Sequence, residues 1–227
     1  MTLAVTDLSV SRAGQTLLHP TSLEIEVSER IGLVGVSGSG KSTLGHALVD
    51  ALRARNHRIA HVPQSPDEAL DPLRSLKFHW REAEKALALA PNEARRADLF
   101  KSLSIHDGDL RKRPWGWSRG MQQRFVIALG LIDMPELLIL DEPTSALDPV
   151  VAAETMDLLD RYLSHSETAM VLITHDLGLA AQNVSRLMVM HEGAVVEDAP
   201  TQQLLQHPQT AAARNVTAYR SWCLATC

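Results

Sequence analysis

The stretch Gly35-Val36-Ser37-Gly38-Ser39-Gly40-Lys41-Ser42-Thr43 constrains this chain more than any other. The run before it, Ile31-Gly32-Leu33-Val34, is short, apolar and strand-favouring. The run after it, Leu44 to Arg53, sets Leu44, Ala47, Leu48, Ala51 and Leu52 at helical spacing. The stretch therefore joins a buried strand to a helix and fits G-x-x-x-x-G-K-[ST] in the setting that pattern requires. Glycines here let the backbone turn tightly and aim N–H groups at an anion, while the new helix adds its positive end. Lys41 then reaches β- and γ-phosphates, and the hydroxyl of Ser42 or Thr43 ligates Mg²⁺, with Ser42 in better register. Gly35, Ser37, Gly38, Ser39, Gly40, Lys41, Ser42 and Thr43 are thus candidate nucleotide-binding residues of a P-loop. A plain glycine-rich turn would not need lysine and two hydroxyls at these offsets.

A chain of 227 residues buries one substantial core, or one core with an inserted lobe. With 45% hydrophobic and 22% charged residues it is neither disordered nor fibrous. No run is long and apolar enough for a bilayer span, and Met1 to Asp7 lacks the charged-then-apolar order of a signal peptide, so a cytosolic protein is expected. A net charge of −5 argues against nucleic acid as a partner. Cys223 and Cys227 provide no disulfide framework and too few ligands for a closed metal site, so they read as tail thiols without a special role.

In chain order, Leu3 to Ser11, Thr16 to Leu18 and Leu23 to Val27 read as strands of a small antiparallel sheet, with a turn at Ala13-Gly14-Gln15. A strand over His57 to Val62 ends at Pro63-Gln64-Ser65-Pro66. Helical spacing over Leu76 to Leu89 and Pro91 to Leu103, with Pro91 in a first turn, predicts a helical lobe inserted at about residues 66–120. The core resumes with a helix over Met121 to Ile132 and the unbroken apolar strand Leu137 to Leu140, a pattern of burial on both faces in a parallel sheet. Helix Val150 to Leu163, strand Ala169 to Thr174, helix Leu177 to Asn183, strands Arg186 to Met190 and Ala194 to Glu197 around a Glu192-Gly193 hairpin, and helix Thr201 to Gln206 complete the order. No repeat or low-complexity linker interrupts it. The fold class is α/β, a P-loop core with a mostly parallel sheet over 1–65 and 121–200, a small antiparallel subdomain, the helical insert 66–120 and a tail 201–227.

Asp141 and Glu142 follow the apolar strand, so they stand at its carboxyl end, near where the P-loop opens. Asp141 there suits Mg²⁺ and Glu142 suits the general base that polarises the attacking water. His175 ends a second such strand and Gln64 a third, and Ser118 precedes a helix, where its hydroxyl caps free N–H groups or meets an anion.

Leu137-Leu138-Ile139-Leu140-Asp141-Glu142-Pro143-Thr144-Ser145-Ala146-Leu147-Asp148 resembles the Walker B and D-loop run of ATP-binding cassette (ABC) ATPases. Gln64 is similar to the family's Q-loop glutamine, His175 to its switch histidine, Asp148 to its D-loop aspartate, and Trp117-Ser118-Arg119-Gly120-Met121-Gln122-Gln123-Arg124 stands where its signature belongs. The resemblance covers nearly the whole chain. It implies ATP and Mg²⁺ as ligands, with Ser42, Gln64 and Asp141 toward the metal, and Lys41, Glu142 and His175 in catalysis. It also implies a head-to-tail dimer in which Ser118, Arg119, Gly120 and Met121 face the nucleotide of a second ATPase subunit.

Pro63-Gln64-Ser65-Pro66, Ala69-Leu70-Asp71-Pro72, Gly120-Met121-Gln122-Gln123-Arg124 and the tail through His207-Pro208-Gln209-Thr210 resemble the peptide, nickel and metallophore importer ATPases. These usually pair two different ATPase subunits beneath two membrane permeases, with a solute-binding protein as indirect partner, peripheral on the cytoplasmic face of the inner or cell membrane. A soluble non-transport ABC ATPase, or a weakly catalytic regulatory partner, is the alternative. Three departures stand out. Arg12 replaces the aromatic ring that stacks on adenine, and its guanidinium plane is the expected substitute. The short span from Ser42 to Gln64 predicts a reduced antiparallel sheet. Arg119 replaces a signature glycine, where it either blocks a phosphate or adds positive charge beside it.

Overall fold

The computed structural model describes residues 2–218, so Cys223 and Cys227 lie outside the described residues. Two strands, β1 (Leu3–Arg12) and β2 (Gln15–Ile25), form a separate antiparallel pair. Leu3 lies opposite Ile25 and Arg12 opposite Gln15. Where the sequence suggested two short extended pieces, β2 is one strand, and register shifts along the pair absorb the irregularity between them. Among the described residues two strands make up this sheet, in keeping with the short stretch that follows the P-loop helix.

The second sheet has six strands in the order β4 (Ile59–Val62), β5 (Leu137–Asp141), β6 (Ala169–Ile173), β3 (Arg30–Val34), β7 (Arg186–His191) and β8 (Ala194–Pro200). All neighbours are parallel except β7 and β8, which form a hairpin turning at Glu192 and Gly193, both with positive φ. Burial on both faces explains the apolar runs read in the sequence. Leu138, Leu140, Met170 and Leu172 pack on one face, whereas Leu137, Ile139, Val171 and Ile173 pack on the other. The second face is covered by α1 (Lys41–Arg53) and by the β1–β2 pair. Leu44, Leu48 and Leu52 of α1 are each 1% exposed, and each contributes about 1.5–3 kcal/mol by burial.

Between β4 and β5 the described chain holds helices and turns alone: α2 (Pro66–Ala69), α3 (Leu76–Ala86), α4 (Glu93–Ser102), 3-10 turns at Asp107–Arg111 and Pro114–Gly116, and α5 (Arg119–Gly130). Ser65 caps α2 in a capping box with Glu68, Ser75 caps α3, and Ser118 caps α5. Asn92 caps α4 and accepts from the Arg95 N–H at 2.9 Å, so Pro91 precedes the helix rather than opening its first turn. α3 stops at Ala86, short of the predicted Leu89, because Ala88 turns to φ 51°. These helices join the sheet through an aromatic cluster. Trp80 meets Phe100 edge-on at 4.9 Å, and Phe125 of α5 lies 6.1 Å from Phe100 and 5.7 Å from Trp117.

The first face of the sheet is closed by α5 with α6 (Pro149–Leu163), α7 (Leu177–Asn183), α8 (Thr201–Gln206) and α9 (Ala211–Ala218). α9 was not anticipated from the sequence. Ala213 is fully buried against the sheet cluster, and the Thr210 hydroxyl accepts from its N–H at 3.1 Å.

Candidate active site

Because β3, β4, β5 and β6 run parallel, their carboxyl ends emerge along one edge, and the predicted chemical residues lie just past those ends. Past β3, the backbone turns through Gly35 to Gly40 into α1. Gly40 is the N-cap, with φ 101°, a left-handed conformation that other residues rarely take. A Cβ on Gly35 would run into the carbonyl oxygen of Met190 and the hydroxyl of Ser39. Lys41, 6% exposed, donates from Nζ to the carbonyls of Gly35 at 2.9 Å and Val36 at 3.0 Å, spanning the loop. Burial lowers its pKa, against the pull of the Glu142 and Asp141 carboxylates, which favour the charged form. The Ser39 hydroxyl is buried beneath the loop with no partner among the described residues.

Past β5, Asp141 is 8% exposed and in register with Ile173 of β6. Glu142 has φ 43°, uncommon for a residue with a side chain. Two backbone bonds hold it there: its N–H donates to Ile173 O at 2.8 Å, and Ser145 N–H donates to its carbonyl at 3.1 Å. Glu142 Oε2 then meets His175 Nδ1 at 3.1 Å and accepts a long bond from Gln64 Nε2 at 3.4 Å. Gln64 Nε2 also reaches Ser145 Oγ at 3.4 Å. Four parallel strands thus bring together the P-loop, Asp141, Glu142, His175 and Gln64.

A second group forms where α5 and α6 begin. Ser118 Oγ accepts from Met121 N–H at 3.3 Å, and Asp148 Oδ1 accepts from Val151 N–H at 3.0 Å, capping the two helices. Gly120 lets the helices touch, since a Cβ there would strike Val151 Cγ1. Arg119 donates from Nη2 to Asp67 Oδ2 of α2 at 2.7 Å, a bond that holds the Asp67 carboxyl below its usual range. Arg12 stands apart, exposed at the tip of the β1–β2 hairpin with no side-chain hydrogen bond or ion pair among the described residues. Sequence reasoning missed Ser145 and Asp67. Ser145 lay inside a run already singled out; Asp67 carried no signal, its partner being 52 positions away.

A glycine turn from a buried parallel strand into a helix, with carboxylates at a neighbouring strand end, defines a P-loop α/β protein. Residues 18–145 match the family model described as ABC transporter, and the chain belongs to that family as an ABC ATPase domain. It is 31% identical over 239 residues to the nickel import ATP-binding protein NikD of Pseudomonas putida, covering 94% of this chain and 93% of that protein. It is 30% identical over 233 residues to the oligopeptide transport ATP-binding protein AmiE of Streptococcus pneumoniae, covering 86% of this chain but 64% of the relative. Among solved structures, CbiO1 from Clostridium perfringens, described as part of the ABC transporter complex CbiONQ, superposes with TM-score 0.76 at 24% identity, over 99% of this chain and 98% of that one. The dimeric ATP-binding cassette MJ0796, bound to ADP and Pi in a post-hydrolysis state, gives TM-score 0.73 at 22% identity, over 88% and 99%. At these identities the two structures speak for the fold. Among the described residues no helix is long and apolar enough to cross a membrane.

Proposed function

We propose that this chain is the ATP-binding and ATP-hydrolysing subunit of an importer for peptide, nickel or metallophore-type solutes. The observation that carries the reading is the convergence of Gln64 and His175 on one oxygen, Oε2, of a backbone-strained Glu142 beside the P-loop. Among the described residues Glu142 Oε1 has no protein donor, so it is the oxygen that takes the proton of the attacking water. His175 and Gln64 keep the carboxylate turned, and Lys41 carries positive charge to the β- and γ-phosphates. The unpartnered Ser39 hydroxyl, in the turn between Gly35 and Lys41, suits a phosphate.

The donor set suits Mg²⁺ as well: Ser42, Asp141 and Gln64 offer hard oxygen ligands. When bound, the ion would supply charge neutralisation at the phosphates. The four signature residues serve the nucleotide of a second ATPase subunit, a different chain or a copy of this one. The helical subdomain 66–120 carries closure to two permeases, and the subunit lies on the cytoplasmic face of the membrane. Support for the cargo class comes from the nickel and oligopeptide relatives.

Glu142→Gln is expected to bind ATP and lose turnover by about 10²–10⁴-fold, the contribution of a general base. Lys41→Ala is expected to weaken nucleotide binding itself. Equilibrium ATP binding and multiple-turnover phosphate release separate the two, and retained turnover in Glu142→Gln removes the base assignment. Purification from membranes through this chain, with identification of the bound permeases, tests the transport role.

A further inference from the structure

The segment that follows Gln64 is tied to the signature. Gln64 touches Glu142; Ser65 caps α2, and Asp67 lies in the first turn of that helix. The Asp67 carboxylate accepts from Arg119, the first residue of α5, at 2.7 Å. The backbone beneath Arg119 is fixed, because Gly120 seats α5 against Val151 of α6. The Arg119 side chain is 48% exposed, and Asp67 is its one ion-pair partner among the described residues. Three positions therefore separate the glutamine that touches Glu142 from the aspartate that holds the Arg119 cation at the start of α5.

We propose that Asp67 is a positioning residue that holds the Arg119 guanidinium on its own chain and yields it to the phosphates that a partner subunit's nucleotide brings to the signature. An exposed carboxylate–guanidinium pair is weak, while a phosphate offers more charge to the same planar fork, so the exchange runs toward phosphate. The acceptor changes and no bond is broken covalently. Asp67 thereby competes with ATP for Arg119, and the segment carrying Gln64 moves with the loss of that competition. The inference rests on the head-to-tail dimer of the proposed function.

The test uses the complex recovered from membranes. Asp67→Asn is expected to lower KM for ATP about threefold, the factor fitting an exposed ion pair, with a smaller change in kcat. Asp67→Glu is expected to restore the original KM. In an Arg119→Gly background Asp67→Asn is expected to leave KM where Arg119→Gly put it. An equal shift in both backgrounds, or no shift in either, overturns the positioning role while leaving the ATPase reading intact. An unmodified complex that hydrolyses no ATP overturns both.

Discussion

Gly120 is hemmed in by one side chain, Val151, and that makes its role measurable. Adding a methyl within a helix normally stabilises by up to about 1 kcal/mol, whereas forcing one into a filled space costs about 1–3 kcal/mol. The second effect wins here, so Gly120→Ala should destabilise the protein by roughly 1 kcal/mol or more in urea unfolding. With Val151→Ala already in place the clash is gone, and Gly120→Ala should become neutral or stabilising. Identical values in the two backgrounds would show that Val151 is not what confines the glycine. Glu142 illustrates what a sequence hides at this scale. Its type and its place after an apolar run were legible; its left-handed backbone was not, because the bond to Ile173 that helps impose it exists only after β5 and β6 have paired.

At the scale of elements, the carboxylate of Glu197 on β8 holds the start of α9. It accepts from the N–H groups of Gln209 at 3.0 Å and Thr210 at 2.8 Å and from the Thr210 hydroxyl at 2.9 Å. Burial works against its charge, yet the backbone N–H bonds and the Thr210 hydroxyl outweigh it and hold the carboxyl below its ordinary range. A depressed folded pKa means the stabilisation is complete above the unfolded pKa and is lost as pH falls through the folded one. Glu197→Gln should therefore cost about 1 kcal/mol near pH 7, a figure already reduced for the partial exposure of the group. The gap in Tm between wild type and variant should close as pH falls from the ordinary carboxylate value through the lower folded one; a gap that is constant with pH would remove the charge from the explanation. This clamp also explains why α9 escaped the sequence: its stability comes from Glu197 and from the seat of Ala213, both distant in the chain. By contrast, β3, β5 and β6 were legible because burial on both faces leaves an unbroken apolar run. Helix ends were less so. Asn92 chose the start of α4 through a cap bond that periodicity does not encode, whereas the cap at Ser118 was legible from its hydroxyl and its place before a helix.

Over the whole molecule, the strand order 4-5-6-3-7-8 decides which loops share an edge, and nothing local in the sequence encodes that order. The same edge carries exposed apolar side chains at two informative places: Val36 inside the P-loop is 56% exposed, and Val150, two residues past the Asp148 cap, is 77% exposed. In the head-to-tail pair proposed above, the start of α6 would be carried toward the partner together with the signature, because Gly120 locks α5 to α6. Val150 then loses water when the pair closes, and a carboxylate in its place must either stay hydrated or sit unpaired in the interface. Val150→Glu, introduced with Glu142→Gln so that ATP is not consumed, should weaken ATP-dependent association at least tenfold in sedimentation, which corresponds to about 1.4 kcal/mol. Nucleotide binding by the separate subunit should be unchanged, because Val150 lies past the cap of α6 and not in the phosphate cradle. Association as tight as that of the Glu142→Gln protein alone would take the start of α6 out of the interface, while an equal loss of binding to the separate subunit would mean that the substitution had damaged the fold.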